Sequence, residues 1–279
     1  MSNEITATSG PELYAQVLKS KQCCIFPAPV YTLEKPLTVP SGAVWEGAGM
    51  MNTVFNITGD FPAFRAQRAK GDTTGRTMFV TLRQLGAQGL AGNTTPLLDL
   101  RGTSYLTLEN LRLQGGKSSG PVIDNTRGTA SYCGFVDLIN VYAGFGTIGY
   151  RGEVNQLTIR GGHYNGNSLW GIWLSRSNCV SISNAEVGCV GTEHVQATYI
   201  GKYPDGHYDR GGILLESVTR LTASGIWFEG NAHRDKLYSR NDVDNDSKCS
   251  ELDIRRCRWD KNPGPKPHYL GLDWGQHYE

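Results

Sequence analysis

The chain has no run of about 18 apolar residues, so no segment is suited to cross a bilayer as a helix, and membrane insertion is not expected. It also has no block of Lys or Arg, and its formal net charge is only +1. The electrostatic footprint of a dedicated nucleic-acid binder is therefore missing, which leaves a glycan or a protein as the expected partner. The seven cysteines, at 23, 24, 133, 179, 189, 249 and 257, contain no Cys-x-x-Cys pair and no Cys/His ligand spacing. That excludes an obvious disulfide framework or zinc site, and Cys257 reads as a small buried hydrophobe. The acidic stretch Asn241-Asp-Val-Asp-Asn-Asp246 lacks the glycine and distal glutamate of an EF-hand loop and reads as a solvated turn. No metal and no other cofactor is expected. The first twenty residues lack the basic start and apolar middle of a secretion signal, so the chain is expected to stay in the cytoplasm that makes it.

What the chain has is glycine, 35 in 279 residues against a usual ~7%, and a repeat. The frame Leu/Val/Ile-x-apolar-x-Asn/Gly-apolar-x-apolar recurs six times, at 106–113, 136–143, 157–164, 180–187, 221–228 and 252–259. Its fifth column reads Asn110, Asn140, Gly161, Asn184, Gly225 and Arg256. Gly has no Cβ, and Asn is the side chain that most readily visits positive φ, so each frame reads as strand, one-residue corner, strand. Leu98 and Leu100, Ile172 and Leu174, and Ile213 and Leu215 supply a third strand upstream of three frames. Period-two apolar alternation turns one face of each strand inward, and self-similarity of this length marks a stacked solenoid. The reading is an all-β chain, a single-stranded right-handed parallel β-helix. Residues 1–262 form that one domain, capped by a short helix over about 9–21 that starts at Ser9-Gly-Pro-Glu12, and 263–279 form a Pro/aromatic tail expected to fold back over the last coil or to dock on another chain. The interval from Val187 to Ile213 reads as one long insertion or, since Val195, Ala197 and Tyr199 alternate, as two irregular coils. Within it Glu193 to Arg210 resembles a recognition loop.

After the helix come a hydrophobic strand, Pro27 with Tyr31, then Leu37-Thr-Val-Pro-Ser-Gly42 and Trp45-Glu-Gly-Ala-Gly49. This order resembles the start of the pectate-lyase-like β-helix superfamily, and especially of phage tailspike domains. Gly171-Ile-Trp-Leu174 leading to Val180-Ser-Ile-Ser-Asn184, Gly212-Ile-Leu-Leu215 and Ile226-Trp-Phe-Glu-Gly-Asn231 continue the match, which spans roughly 9 to 262. The resemblance implies a homotrimeric virion protein at the phage tail or capsid surface, assembled in the host cytoplasm with other virion proteins. Such a protein recognises a bacterial surface polysaccharide and in its enzymatic form depolymerises it, as a hydrolase or a lyase. The alternative on the same scaffold is a non-catalytic capsid decoration or tail component.

Counting columns places Arg112, Tyr142, His163, Glu186, Trp227 and Arg258 in one outward row, with Gln114, Gly144, Asn165, Gly188, Glu229 and Asp260 two residues on. Flat rings suit pyranose faces and charged groups suit hydroxyls and carboxylates. Substrate-binding candidates are Tyr142, His163, Trp227, Arg258 and Asp260, with His163 also a candidate base beside Glu186. Glu186 and Glu229 lie one rung and two residues apart if their frames are adjacent coils, ~8 Å between Cα atoms. That spacing suits an inverting glycosidase and makes them the catalytic candidates. The plainer reading of an outward Glu is a solvated face, and of Phe228-Glu-Gly-Asn231 a turn-forming phrase.

Overall fold

The computed structural model describes residues 3–20, 22–67, 76–116, 120–128, 133–188, 211–229, 237–240, 250–256 and 258–259. Within the frame 106–113, Leu106, Leu108, Leu111 and Leu113 are all buried, while Thr107, Glu109 and Arg112 are part-exposed. The apolar period slips by one residue between Leu108 and Leu111. Asn110 absorbs that slip at φ 50, turning the chain so that both halves keep their apolar faces inside. The whole predicted column is left-handed: Asn140, Gly161, Asn184, Gly225 and Arg256 have φ of 50, 64, 52, 64 and 52. Asn140 Nδ2 donates to Asn110 Oδ1 across the rung at 2.8 Å, so the corner is also a side-chain ladder.

Successive coils pair in parallel to form three walls. The first wall runs Cys23–Phe26, Val44–Gly47, Thr77–Arg83, Thr103–Gln114, Gly134–Gly144, Asn155–Arg160, Asn178–Ser183, Thr219–Ser224 and Ser250–Arg255. Thr103–Gln114 and Gly134–Gly144 pass through the corner unbroken and join the first wall to the second. The second wall begins with Val30–Leu33, Val54–Ile57 and Gly86–Gln88, and resumes as Glu186–Gly188, Trp227–Glu229 and Arg258–Trp259. The third wall is an eight-stranded sheet from Leu37–Val39 to Leu237–Arg240, and it contains the predicted pairs Ile172 with Leu174 and Ile213 with Leu215, and Leu98 of the third pair, with Leu100 buried just past its strand. Every described strand pairing is parallel, and the chain is a parallel β-helix. Asn178–Ser183 pairs directly with Thr219–Ser224 and Trp170–Ser175 with Gly211–Glu216, so no coil separates these frames.

A second corner, between the third and first walls, lies one residue before each frame. Gly42, Phe79, Tyr105, Phe135, Gln156, Cys179, Arg220 and Glu251 occupy it with φ of 77, 59, 54, 58, 60, 55, 54 and 54. Sequence reading missed this column because most of its residues do not advertise positive φ. It also missed the coil at 80–87, whose corner is Gln84 at φ 57.

The helix Gly10–Ser20 closes the N-terminal end by burying Leu13 and Val17 against the same core as Cys24 and Phe26. Tyr14 Oη accepts the backbone N–H groups of Glu34 and Lys35 at 2.9 and 3.0 Å, and Gln16 Oε1 accepts those of Thr6 and Ala7. The first coils hold an aromatic plug in which Phe26, Tyr31, Trp45, Phe55 and Phe64 meet mostly edge to face. Each such ring, fully buried, contributes about 1.5–3 kcal/mol or more by area. The described cysteines 23, 24, 133 and 179 are free thiols, and Cys257 lies outside the described residues. The loop 193–210, the acidic stretch 241–246 and the tail 263–279 also lie outside them.

Candidate functional site

The outward row forms as counted. Arg112 pairs in register with Tyr142, isolated bridges join Tyr142 to His163 and His163 to Glu186, and Glu186 pairs with Trp227 and Trp227 with Arg258. Gly188 pairs with Glu229, so Glu186 and Glu229 stand on adjacent strands, one rung and two residues apart. At ~4.8 Å per rung and ~3.3 Å per residue their Cα atoms are ~8 Å apart. Asp260 lies outside the described residues.

Backbone geometry sets where His163 sits. Gly162 is left-handed at φ 88, and a Cβ there would meet the Val141 carbonyl oxygen at 2.3 Å. This close approach lets the His163 N–H donate to Val141 O at 3.0 Å while Ala143 N–H donates to His163 O at 2.8 Å, which locks the histidine into the row. Gly144 does the same for its neighbour: a Cβ at 144 would lie 3.3 Å from the Tyr142 ring and 2.3 Å from Asn165 O.

The side chains then form one connected strip. The Arg112 guanidinium lies 5.9 Å from the Tyr142 ring centre, and the Tyr142 and His163 rings are 6.1 Å apart at 41°. His163 Nδ1 is 2.9 Å from Glu186 Oε2. Asn165 Nδ2 donates to Glu186 Oε1 at 2.5 Å, and its Oδ1 accepts the Gly188 N–H at 2.8 Å. Both carboxylate oxygens of Glu186 are thus engaged, and the carboxylate is well placed to orient the imidazole. The next rung is Trp227, 41% exposed. The strip therefore offers rings at Tyr142 and Trp227 on either side of a fixed polar group.

Two other groupings escaped the sequence reading. On the third wall and just past its strand ends, buried acids are held by partners: Arg101 chelates Asp99 at 2.7 and 2.8 Å, Arg176 meets Glu153 at 2.5 Å, and Trp173 Nε1 donates to Glu216. Burial pushes the Asp99 carboxyl up, but the hydrogen bonds and charge of Arg101, with Arg65 beyond, hold it below the ordinary aspartate value. An Asp inside an apolar strand, as in Leu98-Asp-Leu100, was the available signal. The second grouping is an exposed aromatic stack, Phe79–Tyr105–Phe135, at the second corner.

No family model matches the sequence, and no curated protein does. Among solved structures, the A-module of a mannuronan C-5 epimerase from Azotobacter vinelandii aligns at 13% identity over 95% of this chain and 97% of its own, with a TM-score of 0.38. A protein of Geobacillus virus E2 aligns at 13% identity over 92% of this chain and 51% of its own, TM-score 0.46. The catalytic domain of a GH87 alpha-1,3-glucanase aligns at 12% identity over 92% and 58%, TM-score 0.42. The three parallel walls define the fold on their own: a parallel β-helix with a short N-terminal capping helix. Among the described residues no helix is long and apolar enough to cross a membrane.

Proposed function

We propose that this chain is a virion protein that recognises a bacterial surface polysaccharide along the second wall. The observation that carries the reading is the strip itself, in which Tyr142 and Trp227 flank the His163–Glu186–Asn165 network on consecutive coils. Three rungs separate the two rings, about 14 Å at ~4.8 Å each, a length that takes a short oligosaccharide laid along the stack. Rings that stack on sugar faces and a fixed carboxylate–imidazole–amide group that meets hydroxyls are the parts a carbohydrate site needs. The virion setting, with trimeric assembly and other virion proteins as neighbours, is supported by the tailspike-like phrases at 37–49 and 171–184.

For a depolymerising form, Glu186 and Glu229 are the proposed acid–base pair. Their one-rung, two-residue offset suits an inverting hydrolysis, in which one acid protonates the leaving oxygen and the other activates water. The engagement of both Glu186 oxygens favours the second form, a protein that binds and does not cut, with Glu186 holding His163. The experiment is a panel of capsular and lipopolysaccharide O-chain glycans, assayed for binding and for reducing-end or ultraviolet-absorbing products, with Glu186→Gln and Glu229→Gln alongside. Binding without product supports the adhesive form, and cleavage lost in both variants supports the acid pair. Neither binding nor cleavage on any glycan overturns the reading.

A further inference from the structure

Phe79, Tyr105 and Phe135 are 59%, 42% and 42% exposed, yet all three occupy corner positions whose backbone is left-handed. A residue with a Cβ pays about 1–2 kcal/mol for that conformation. The first-wall to second-wall corner meets the same demand mostly with Asn and Gly. Nothing in the bend calls for a ring. Three large apolar side chains on successive coils are therefore a costly arrangement kept at the surface, of the kind that marks a contact.

The way the rings sit selects the partner. Phe79 and Tyr105 stack at 4.7 Å and 18°, and Tyr105 and Phe135 at 4.7 Å and 6°. The inner faces of the stack are spent on one another, so along its length the stack presents a row of ring edges, whereas a pyranose needs an open face. An apolar protein surface fits edges well. Charge then narrows the partner to a second copy of this chain. When copies stand with their stacks parallel around a common axis, each residue at the axis meets its own counterpart in the same layer, so a charged column opposes like charges at every rung. The corner column is uncharged from Gly42 through Phe79, Tyr105, Phe135 and Gln156 to Cys179. The column before it, through Met78, Ser104, Gly134, Asn155 and Asn178, is uncharged as well. Elsewhere the first wall carries Glu46, Arg83, Glu109 and Arg160 in register, and the third wall Arg65, Asp99, Asp124 and Arg151.

We infer that the Phe79–Tyr105–Phe135 edge is the seam along which copies of this chain associate side by side, with parallel stacks. The seam ends where Arg220 and Glu251, 3.4 Å apart, bring charge into the column. It lies at the vertex opposite the second wall, so association leaves the Tyr142–Trp227 strip open. The test is the mass in solution, by light scattering, of the wild type and of the triple variant Phe79→Asn, Tyr105→Asn, Phe135→Asn. Asparagine suits the left-handed corner, so the variant is expected to keep its circular dichroism and a cooperative melt while falling from an integral multiple of the chain mass to a single chain. A monomeric wild type at all soluble concentrations overturns the seam, and so does a triple variant that keeps the multiple. Tyr105→Cys supplies a readout that needs no loss of fold: oxidation is expected to yield a peptide linked through two copies of position 105, and its absence overturns the parallel arrangement.

Discussion

His163 Nδ1 lies 2.9 Å from Glu186 Oε2, while the other oxygen of that carboxylate accepts Asn165 Nδ2. Three residues from two successive coils are thereby fixed as one group on a half-exposed surface. Glu186→Gln keeps an oxygen for Asn165 and loses the charge facing His163. The melting temperature is expected to change little, equivalent to under about 1 kcal/mol, because a solvent-screened surface contact contributes that little. Glycan affinity is expected to fall several-fold, since the imidazole is no longer held. Thermal melts and glycan titrations of the variant check both.

The corner ladder makes a comparison of two substitutions at one site informative. Asn140 sits at φ 50 and donates to Asn110. Asn140→Ala is expected to destabilise by about 1–2 kcal/mol, since alanine pays for the left-handed backbone and forfeits the hydrogen bond. Asn140→Gly, which loses the bond and keeps the conformation, is expected to cost less than Asn140→Ala. Urea unfolding midpoints of the pair measure the difference.

These corners also explain what the sequence discloses. The Asn/Gly column is legible because those two residue types announce positive φ, and it carried the coil count from 106 onward. The coil at 80–87 was hidden because Gln84 makes its turn, and the Phe79–Glu251 corner because aromatic, Cys and charged residues make its turns. The row Arg112 to Trp227 was legible from counting alone. The Asn165–Glu186 bond was not, since it depends on side chains two residues apart in column meeting across a rung.

Asp99 sets a pH dependence. Arg101 holds its carboxyl below the ordinary value against the opposing effect of burial, so the folded chain binds that proton more weakly than the unfolded one. Its contribution to stability is complete above the unfolded aspartate value of ~3.9 and is lost as pH falls through the lower folded value. Asp99→Asn is expected to lower stability at pH 7 and to flatten this part of the acid limb. Unfolding free energies measured from pH 7 down to about 2.5 for both proteins check it.

Burial sorts the thiols. It pushes Cys24 up to about 12, with Cys23 adding to the shift, and pushes Cys133 up to about 11 despite hydrogen bonds that pull the other way. Cys23 is exposed. Brief alkylation of the native protein near pH 8, read peptide by peptide by mass spectrometry, is expected to modify Cys23 and spare Cys24 and Cys133 until denaturant is added.

The central claim is that the second-wall strip binds sugar, and Trp227 is its exposed indole. The most direct measurement is calorimetric titration of the best-binding panel glycan into wild type and Trp227→Ala. The account predicts unchanged folding and about tenfold weaker binding, which corresponds to ~1.4 kcal/mol. Equal affinity for the two proteins contradicts it.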